Sequence, residues 1–257
     1  MTPDIKLQGL KKYINDLESV AVAFSAGVDS SFLLKVAHEV LGDKVIALTA
    51  KSPLFPEREL NEAIGFCKKE GIRHILVDIE LEDIKHNPTN RCYICKKNIF
   101  SKFIETARLF NIEHILEGSN IDDESDYRPG MLAIKELGIL SPLRVAGFTK
   151  DEIRLLSNNQ KPSFACLGSR FAYGETITVE KLMMVEKAEQ LLFNLGFKQF
   201  RVRIHGMLAR IEVLPDEFEK LMGIDIYEQF KDLGFDYVTM DLKGYRTGSM
   251  NEVLGVK

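Results

Sequence analysis

Five apolar residues, Val20-Ala21-Val22-Ala23-Phe24, run directly into Ser25-Ala26-Gly27-Val28-Asp29-Ser30-Ser31. A short, continuous apolar run that stops at a small-residue turn reads as a strand buried on both faces of a parallel sheet. Phe32, Leu33, Val36, Ala37, Val40 and Leu41 then recur at helical spacing. The chain therefore goes strand, loop, helix, with Asp29 and Ser30 expected to cap the helix. Such a junction holds phosphate, because backbone N–H groups and the positive helix end face the anion. Gly27 lets the backbone approach closely, and Ser25, Ser30 and Ser31 add hydroxyl donors. There is no Walker-type lysine and no G-x-G-x-x-G, which excludes both of those nucleotide loops. Ala26 is tolerable in the turn only if its φ is negative.

Strands and helices go on alternating. Ile5, Leu10, Tyr13, Ile14 and Leu17 mark an amphipathic helix ahead of the first strand. Further buried strands are expected over 44–50, 74–78 and 114–117, the last ending at Gly118. Helices are expected from Pro56 to about Glu70, over 100–110, and after the capping box Thr149-Lys150-Asp151-Glu152. This order predicts an α/β fold with a right-handed parallel sheet. Ligands then lie at the carboxyl ends of the strands, where Ser25, Ala50 and Gly118 fall. After about residue 175 the pattern becomes a long helix over 178–195, two strands joined at Gly206, a helical stretch from Pro215 and a last strand over 237–242. The expected organisation is an α/β domain over 1–160, a linker over 161–174 carrying Cys166, and a small α+β domain over 175–257.

The 257 residues are 45% hydrophobic and 28% charged. No apolar run approaches the roughly 18 residues of a membrane span, and the N-terminus lacks a signal-peptide core. The expected location is the cytoplasm, with no membrane partner. A net charge of −4 gives no global attraction to nucleic acid. In a reducing compartment the four cysteines are expected to be buried, metal-binding or reactive rather than disulfide-bonded.

Cys92-Tyr93-Ile94-Cys95 is a C-x-x-C, able to bind a metal or cluster or to form a redox pair. A zinc site needs two further ligands, and there is no second C-x-x-C. Cys166 offers a third thiol, and three thiolates can hold a [4Fe–4S] cluster with one iron open to hydrosulfide. These three read as loop cysteines, whereas Cys67, beside Phe66 and at helical spacing from Ile64, reads as core. The stretch from Gly118 to Gly130 is dense in carboxylates, and Asp122, Asp123 and Asp126 are natural Mg²⁺ ligands beside a triphosphate. A solvated acidic loop would look the same. Arg201 and Arg203 share one strand face, which suits a forked grip on phosphate or carboxylate, although an exposed strand face would also alternate this way.

The segment Ser25 to Ser31 resembles the PP-loop of ATP pyrophosphatases, usually Ser-Gly-Gly-x-Asp-Ser, with Ala26 in place of one glycine. Further motifs are Arg91-Cys92-Tyr93-Ile94-Cys95-Lys96, Gly118 to Gly130, Cys166-Leu167-Gly168-Ser169-Arg170, Arg201 to Val213 and Gly244 to Asn251. With these, nearly the whole chain resembles the LarE-type ATP-dependent sulfur transferases that make the nickel-pincer cofactor of lactate racemase. The resemblance implies an adenine nucleotide alpha hydrolase-like domain, use of ATP and Mg²⁺, and a pyridinium biscarboxylic acid mononucleotide as substrate. A carboxylate of that substrate is adenylated, releasing pyrophosphate, and sulfur then replaces AMP to give a thiocarboxylate. Ser25, Gly27, Asp29, Ser30, Ser31, Ala50, Gly118 and Arg128 fall on the nucleotide side, with Asp122, Asp123 or Asp126 on the metal. Ser169, Arg170, Glu189, Arg201, Arg203 and Glu212 fall on the substrate side.

The sulfur source divides such proteins. Some sacrifice the cysteine matching Cys166, leaving dehydroalanine, and lack the C-x-x-C. Others carry three thiols and a [4Fe–4S] cluster that passes on an added sulfide, and Cys92 and Cys95 favour that route here. The resemblance also implies trimers or hexamers and a sulfide or sulfur-carrier donor. A tRNA thiolation enzyme would share the PP-loop, the C-x-x-C and a later cysteine, but the acidic charge and the lack of a basic, aromatic module stand against it. A non-enzymatic nucleotide-binding regulator would leave the three cysteines and the acidic loop without a purpose.

Overall fold

The computed structural model describes residues 2–125, 130–159, 161 and 165–255. Two compact units emerge, Met1–Glu80 with Cys92–Phe164 and Leu81–Arg91 with Ala165–Lys257. In chain order the first unit contains α1 (Pro3–Asn15), β1 (Val20–Ala23), α2 (Val28–Leu41), β2 (Val45–Lys51), α3 (Glu57–Glu70) and β3 (Arg73–Asp78). It continues with α4 (Arg91–Arg108), β4 (His114–Leu116), α5 (Gly130–Glu136), α6 (Pro142–Val145) and α7 (Lys150–Ser157).

The four strands pair in the order β3-β2-β1-β4, all parallel. β1 supplies Val20 and Val22 to one core, with Leu10, Ile14, Phe32, Leu33 and Phe148. It turns Ala21 to a second core, with Ile46, Leu48, Phe100, Phe103 and Ile134. Both faces are thus covered, which is why β1 reads as an unbroken apolar run. The chain leaves β1 towards β2 and β3, then returns to place β4 on the other side of β1. That reversal makes the carboxyl ends of β1 and β4 the switch point where open α/β sheets bind ligands.

α4 corrects the expected placement of the C-x-x-C. The amphipathic signal, carried by Ile99, Phe100, Phe103 and Ala107 on the core side, suggested a helix near residue 100. The helix begins at Arg91, so Cys92 and Cys95 lie in its first two turns rather than in a loop. Cys95 is partly buried against the core and Cys92 is exposed. Cys67 lies in the other core as expected, and burial pushes its thiol up to about 12.

The second unit contains α8 (Val179–Asn194), β5 (Phe200–His205), β6 (Leu208–Val213), α9 (Phe218–Met222), α10 (Tyr227–Asp232) and β7 (Tyr237–Met240). β5 and β6 are antiparallel around Gly206, whose φ of +62° suits glycine, and β6 pairs parallel with β7. α8 starts at a Thr178 cap and buries Leu182, Val185, Ala188 and Leu192. Among the described residues no helix is long and apolar enough to cross a membrane.

Candidate functional site

At the end of β1 the backbone is pinned to β2: Phe24 N–H donates to Leu48 O at 2.8 Å, and Thr49 Oγ1 donates to Phe24 O at 2.7 Å. The chain then turns sharply. Ala26 adopts φ +55°, against the negative value expected from the sequence. The buried Cβ is accommodated there at a cost of about 1 kcal/mol. The expected cap is also corrected. Gly27 is the N-cap of α2 and among the described residues no side chain caps the helix, while Asp29 and Ser30 lie within the first turn. Ser30 Oγ instead donates to Gly27 O at 3.1 Å and lies 3.3 Å from Ser25 Oγ. Ser31 N–H closes the first helical bond, to Gly27 O at 2.9 Å. The helix end therefore meets the loop without a side-chain cap, as anion binding requires.

The loop after β4 completes this corner. Gly118 lies so close to α2 that a Cβ there would sit 3.0 Å from Ser30 N and 3.3 Å from Asp29 C. Buried Glu117 accepts from Ser119 N–H at 3.1 Å, Ser119 Oγ at 2.7 Å and Ser141 Oγ. Asn120 is 1% exposed. Its Oδ1 accepts from Asp122 N–H and its own N–H donates to Asp123 Oδ2, each at 3.0 Å. Asp122 Oδ2 accepts from Lys150 N–H at 2.7 Å. Asp29 Oδ1 is buried and has no partner among the described residues. Burial raises the Asp29 carboxyl above its ordinary value, with Asp123 adding to the rise and Lys150 and Arg154 opposing it.

Among the described residues no three His, Cys, Asp or Glu side chains gather to hold a metal ion. Magnesium on a nucleotide needs no such cage, since it takes one or two carboxylates and completes its shell with phosphate and water. The orphaned Asp29 Oδ1 near Asp123 fits that demand. Asp126 and Arg128 lie outside the described residues. Ala50 stands at the carboxyl end of β2, half-buried and paired with Val77 of β3.

Several groups here escaped sequence reasoning. Lys161 Nζ lies 3.4 Å from Ala26 O and also bonds Glu62, bringing an ammonium to a loop with no lysine of its own. Arg154 Nε is buried without a partner among the described residues, and Arg154 acts on Asp29 electrostatically. The only local signal was the capping box of α7, which is present as expected and places Lys150 and Arg154.

The second unit holds a buried charge network. Arg170, 1% exposed, forks onto Glu189 with two bonds of 2.8 Å. Its Nη1 donates to Ala165 O at 2.8 Å, Cys166 O at 3.1 Å and Ser169 Oγ at 2.8 Å. Glu189 also accepts from Val202 N–H at 2.9 Å. Burial pushes the Glu189 carboxyl up, but Arg170 outweighs it and holds the group below its ordinary value. Arg203 donates to Glu212 at 2.8 Å, Ser249 Oγ at 2.9 Å and Ser169 O at 2.9 Å, and its Nε is buried without a partner among the described residues. Arg201 donates to Phe200 O at 2.6 Å, and its guanidinium carbon is 5.2 Å from the Tyr245 ring centroid. Arg201 and Arg203 are both buried, so their alternation does not mark an exposed strand face. Arg91 donates to Gly168 O at 2.7 Å and to Asn87 Oδ1, tying down the turn that Cys166 opens. None of the four cysteines forms a disulfide.

A family model described as NAD synthase matches residues 5–103. An uncharacterized protein of Synechocystis sp. is 40% identical over 262 residues, covering 97% of this chain and 98% of that protein. An uncharacterized protein of Methanocaldococcus jannaschii is 32% identical over 249 residues, covering 95% of this chain and 97% of that protein. The pyridinium-3,5-bisthiocarboxylic acid mononucleotide synthase of Lactiplantibacillus plantarum is 37% identical over 253 residues, covering 94% of this chain and 92% of the synthase. With the phosphate loop at a parallel-sheet switch point and this likeness along almost its whole length, the chain belongs to the LarE-type family of ATP-dependent sulfur transferases.

Proposed function

We propose that this enzyme converts a carboxylate of a pyridinium biscarboxylic acid mononucleotide into a thiocarboxylate. The observation that carries the reading is the corner at β1 and β4, where a helix end without a side-chain cap meets a buried Asp29 Oδ1 that has no partner among the described residues. The substrate carboxylate oxygen attacks the α-phosphorus of ATP, forming an acyl-adenylate as the α–β P–O bond breaks. Pyrophosphate leaves with that electron pair, held by the first turn of α2, Ser25, Ser30 and Ser31, with Lys161 beside the loop. Mg²⁺, bound by Asp29 and Asp123 or Asp122, would neutralise the charge of the departing pyrophosphate. Sulfide then attacks the acyl carbon, the C–O bond to AMP breaks, and AMP carries away the electron pair and one former carboxylate oxygen. The hydrosulfide proton passes to solvent.

Arg201 and Arg203, backed by Glu189 and Glu212, bind the substrate's phosphate or carboxylate, with Ser169 and Arg170 shaping the same region. The buried Arg203 Nε, without a partner among the described residues, supports this, because an open guanidinium edge in the interior fits an oxyanion. For sulfur delivery, three thiols outside any disulfide suit a [4Fe–4S] cluster on Cys92, Cys95 and Cys166. Such a cluster would supply an open iron that carries the incoming sulfide. The donor is sulfide or a sulfur carrier, and the enzyme works in the cytoplasm as a homo-oligomer, a trimer or hexamer.

The test is pyrophosphate release from ATP and Mg²⁺ with the mononucleotide present or absent. Release that depends on the mononucleotide is expected. Release that depends instead on tRNA, or no release with any acceptor, would overturn the proposal.

A further inference from the structure

His205, the last residue of β5, takes no part in the chemistry above. It follows Arg201 and Arg203 at alternate positions, so the three share one face of the strand. Across the antiparallel pair, Glu212, Arg210 and Leu208 stand opposite Arg201, Arg203 and His205 in turn. Arg203 is fixed on this face by its Nη groups, Nη1 on Ser169 O and Nη2 on Glu212 and Ser249 Oγ. Its Nε has no partner among the described residues, and neither has His205 Nε2, although both atoms are buried. Two buried nitrogens left this way at neighbouring positions are costly until something pairs with them. We infer that His205 is a substrate-binding residue, its Nε2 and Arg203 Nε together gripping one oxyanion of the mononucleotide.

The inference rests on the mononucleotide reading above and adds an imidazole to its arginines. Same-face neighbours on a strand stand about 7 Å apart. One phosphate or carboxylate bridges such a gap with a hydrogen bond to each side. The surroundings also favour an anion. Burial pushes the His205 imidazole below its ordinary value, Arg210 and Arg203 add to the fall, and Glu175 and Glu212 oppose it. Both carboxylates are engaged elsewhere. Glu175 accepts from Gly206 N–H at 2.7 Å and Lys181 at 3.0 Å, and Glu212 from Arg203, Arg210 and Ser249.

The test is calorimetric binding of the pyridinium biscarboxylic acid mononucleotide to wild type, His205→Phe, His205→Gln and His205→Asn, with thermal unfolding as the check on the fold. Glutamine carries an amide N–H to the place of the imidazole Nε2, asparagine is too short, and phenylalanine keeps a ring without a donor. His205→Phe and His205→Asn should lose about tenfold or more in affinity, and His205→Gln should stay within about threefold of wild type. If His205→Phe unfolds, the contrast between Gln and Asn carries the test. The dephosphorylated nucleoside then identifies the oxyanion: the loss vanishes on it if His205 holds the phosphate and persists if it holds a carboxylate. Wild-type affinity in His205→Phe and His205→Asn overturns the inference. Equal losses in all three variants also overturn it, since they report a merely structural role. If wild type does not bind the mononucleotide, inorganic phosphate becomes the probe. Phosphate binding that depends on His205 then keeps the grip and sinks the substrate reading, whereas binding indifferent to His205, or none, sinks both.

Discussion

Ala26 shows how one torsion carries meaning that composition does not. Its φ of +55° places a Cβ where glycine is favoured. Ala26→Gly should therefore leave stability unchanged or raise it by up to about 1 kcal/mol, because steric relief offsets the looser unfolded chain. Ala26→Val should destabilise by more than about 1 kcal/mol, since a β-branched residue at positive φ is a true outlier. Urea denaturation reads both, and a clear loss in Ala26→Gly would contradict the torsion. Glu189 makes a second test. Replacing it with Gln strips the counter-charge from buried Arg170, expected to cost about 3–5 kcal/mol. Its carboxyl is held below the ordinary value in the fold, so its stabilisation is fully present above the unfolded-state pKa and is lost as pH falls through the folded one. The acid side of the stability profile should accordingly be flatter in Glu189→Gln. An unchanged acid limb would show that the ion pair contributes nothing there. Neither residue's state was legible in the sequence. Handedness at Ala26 is set by where β1 must hand over to α2, and the burial of Arg201 and Arg203 depends on what packs over their strand.

At the scale of elements, local pattern and tertiary demand agree for β1, α2 and α7. An apolar run, a heptad-like stripe and a capping box each specify their own geometry without distant help. They disagree for α4. Its first turns, Arg91 to Asn98, carry polar and cysteine residues with no apolar stripe, so the helix start is fixed by packing of its later turns. Lys161 escaped for a related reason: it works across more than ninety residues of sequence separation, where spacing has no meaning. The contact between the β4 exit and α2 gives an element-scale prediction. In Gly118→Ala the new Cβ meets backbone atoms of Asp29 and Ser30, which cannot swing aside. The variant should lose about 1–3 kcal/mol in stability, and ATP affinity should fall with it in equilibrium binding. Normal affinity in a folded Gly118→Ala protein would detach the β4 exit from the phosphate loop.

For the whole molecule, the order β3-β2-β1-β4 matters more than any single motif, because it opens one switch point and places the phosphate loop there. Family membership follows from likeness along almost the entire chain, both units included. The three thiols make the prediction that belongs at this scale. Anaerobically purified protein should carry about four irons per chain if it holds one [4Fe–4S] cluster. Cys92→Ala, Cys95→Ala and Cys166→Ala should each lose the visible iron–sulfur absorption. Iron-free protein after reconstitution would move sulfur delivery to Cys166 alone.

The most direct test of the account is a reaction with isotopically labelled sulfide, ATP, Mg²⁺ and the pyridinium mononucleotide, read by mass spectrometry of the mononucleotide and of the protein. The account predicts labelled sulfur in place of one carboxylate oxygen, pyrophosphate released in step with it, and an intact Cys166. Unlabelled thiocarboxylate with dehydroalanine at position 166, or no thiocarboxylate at all, would contradict it.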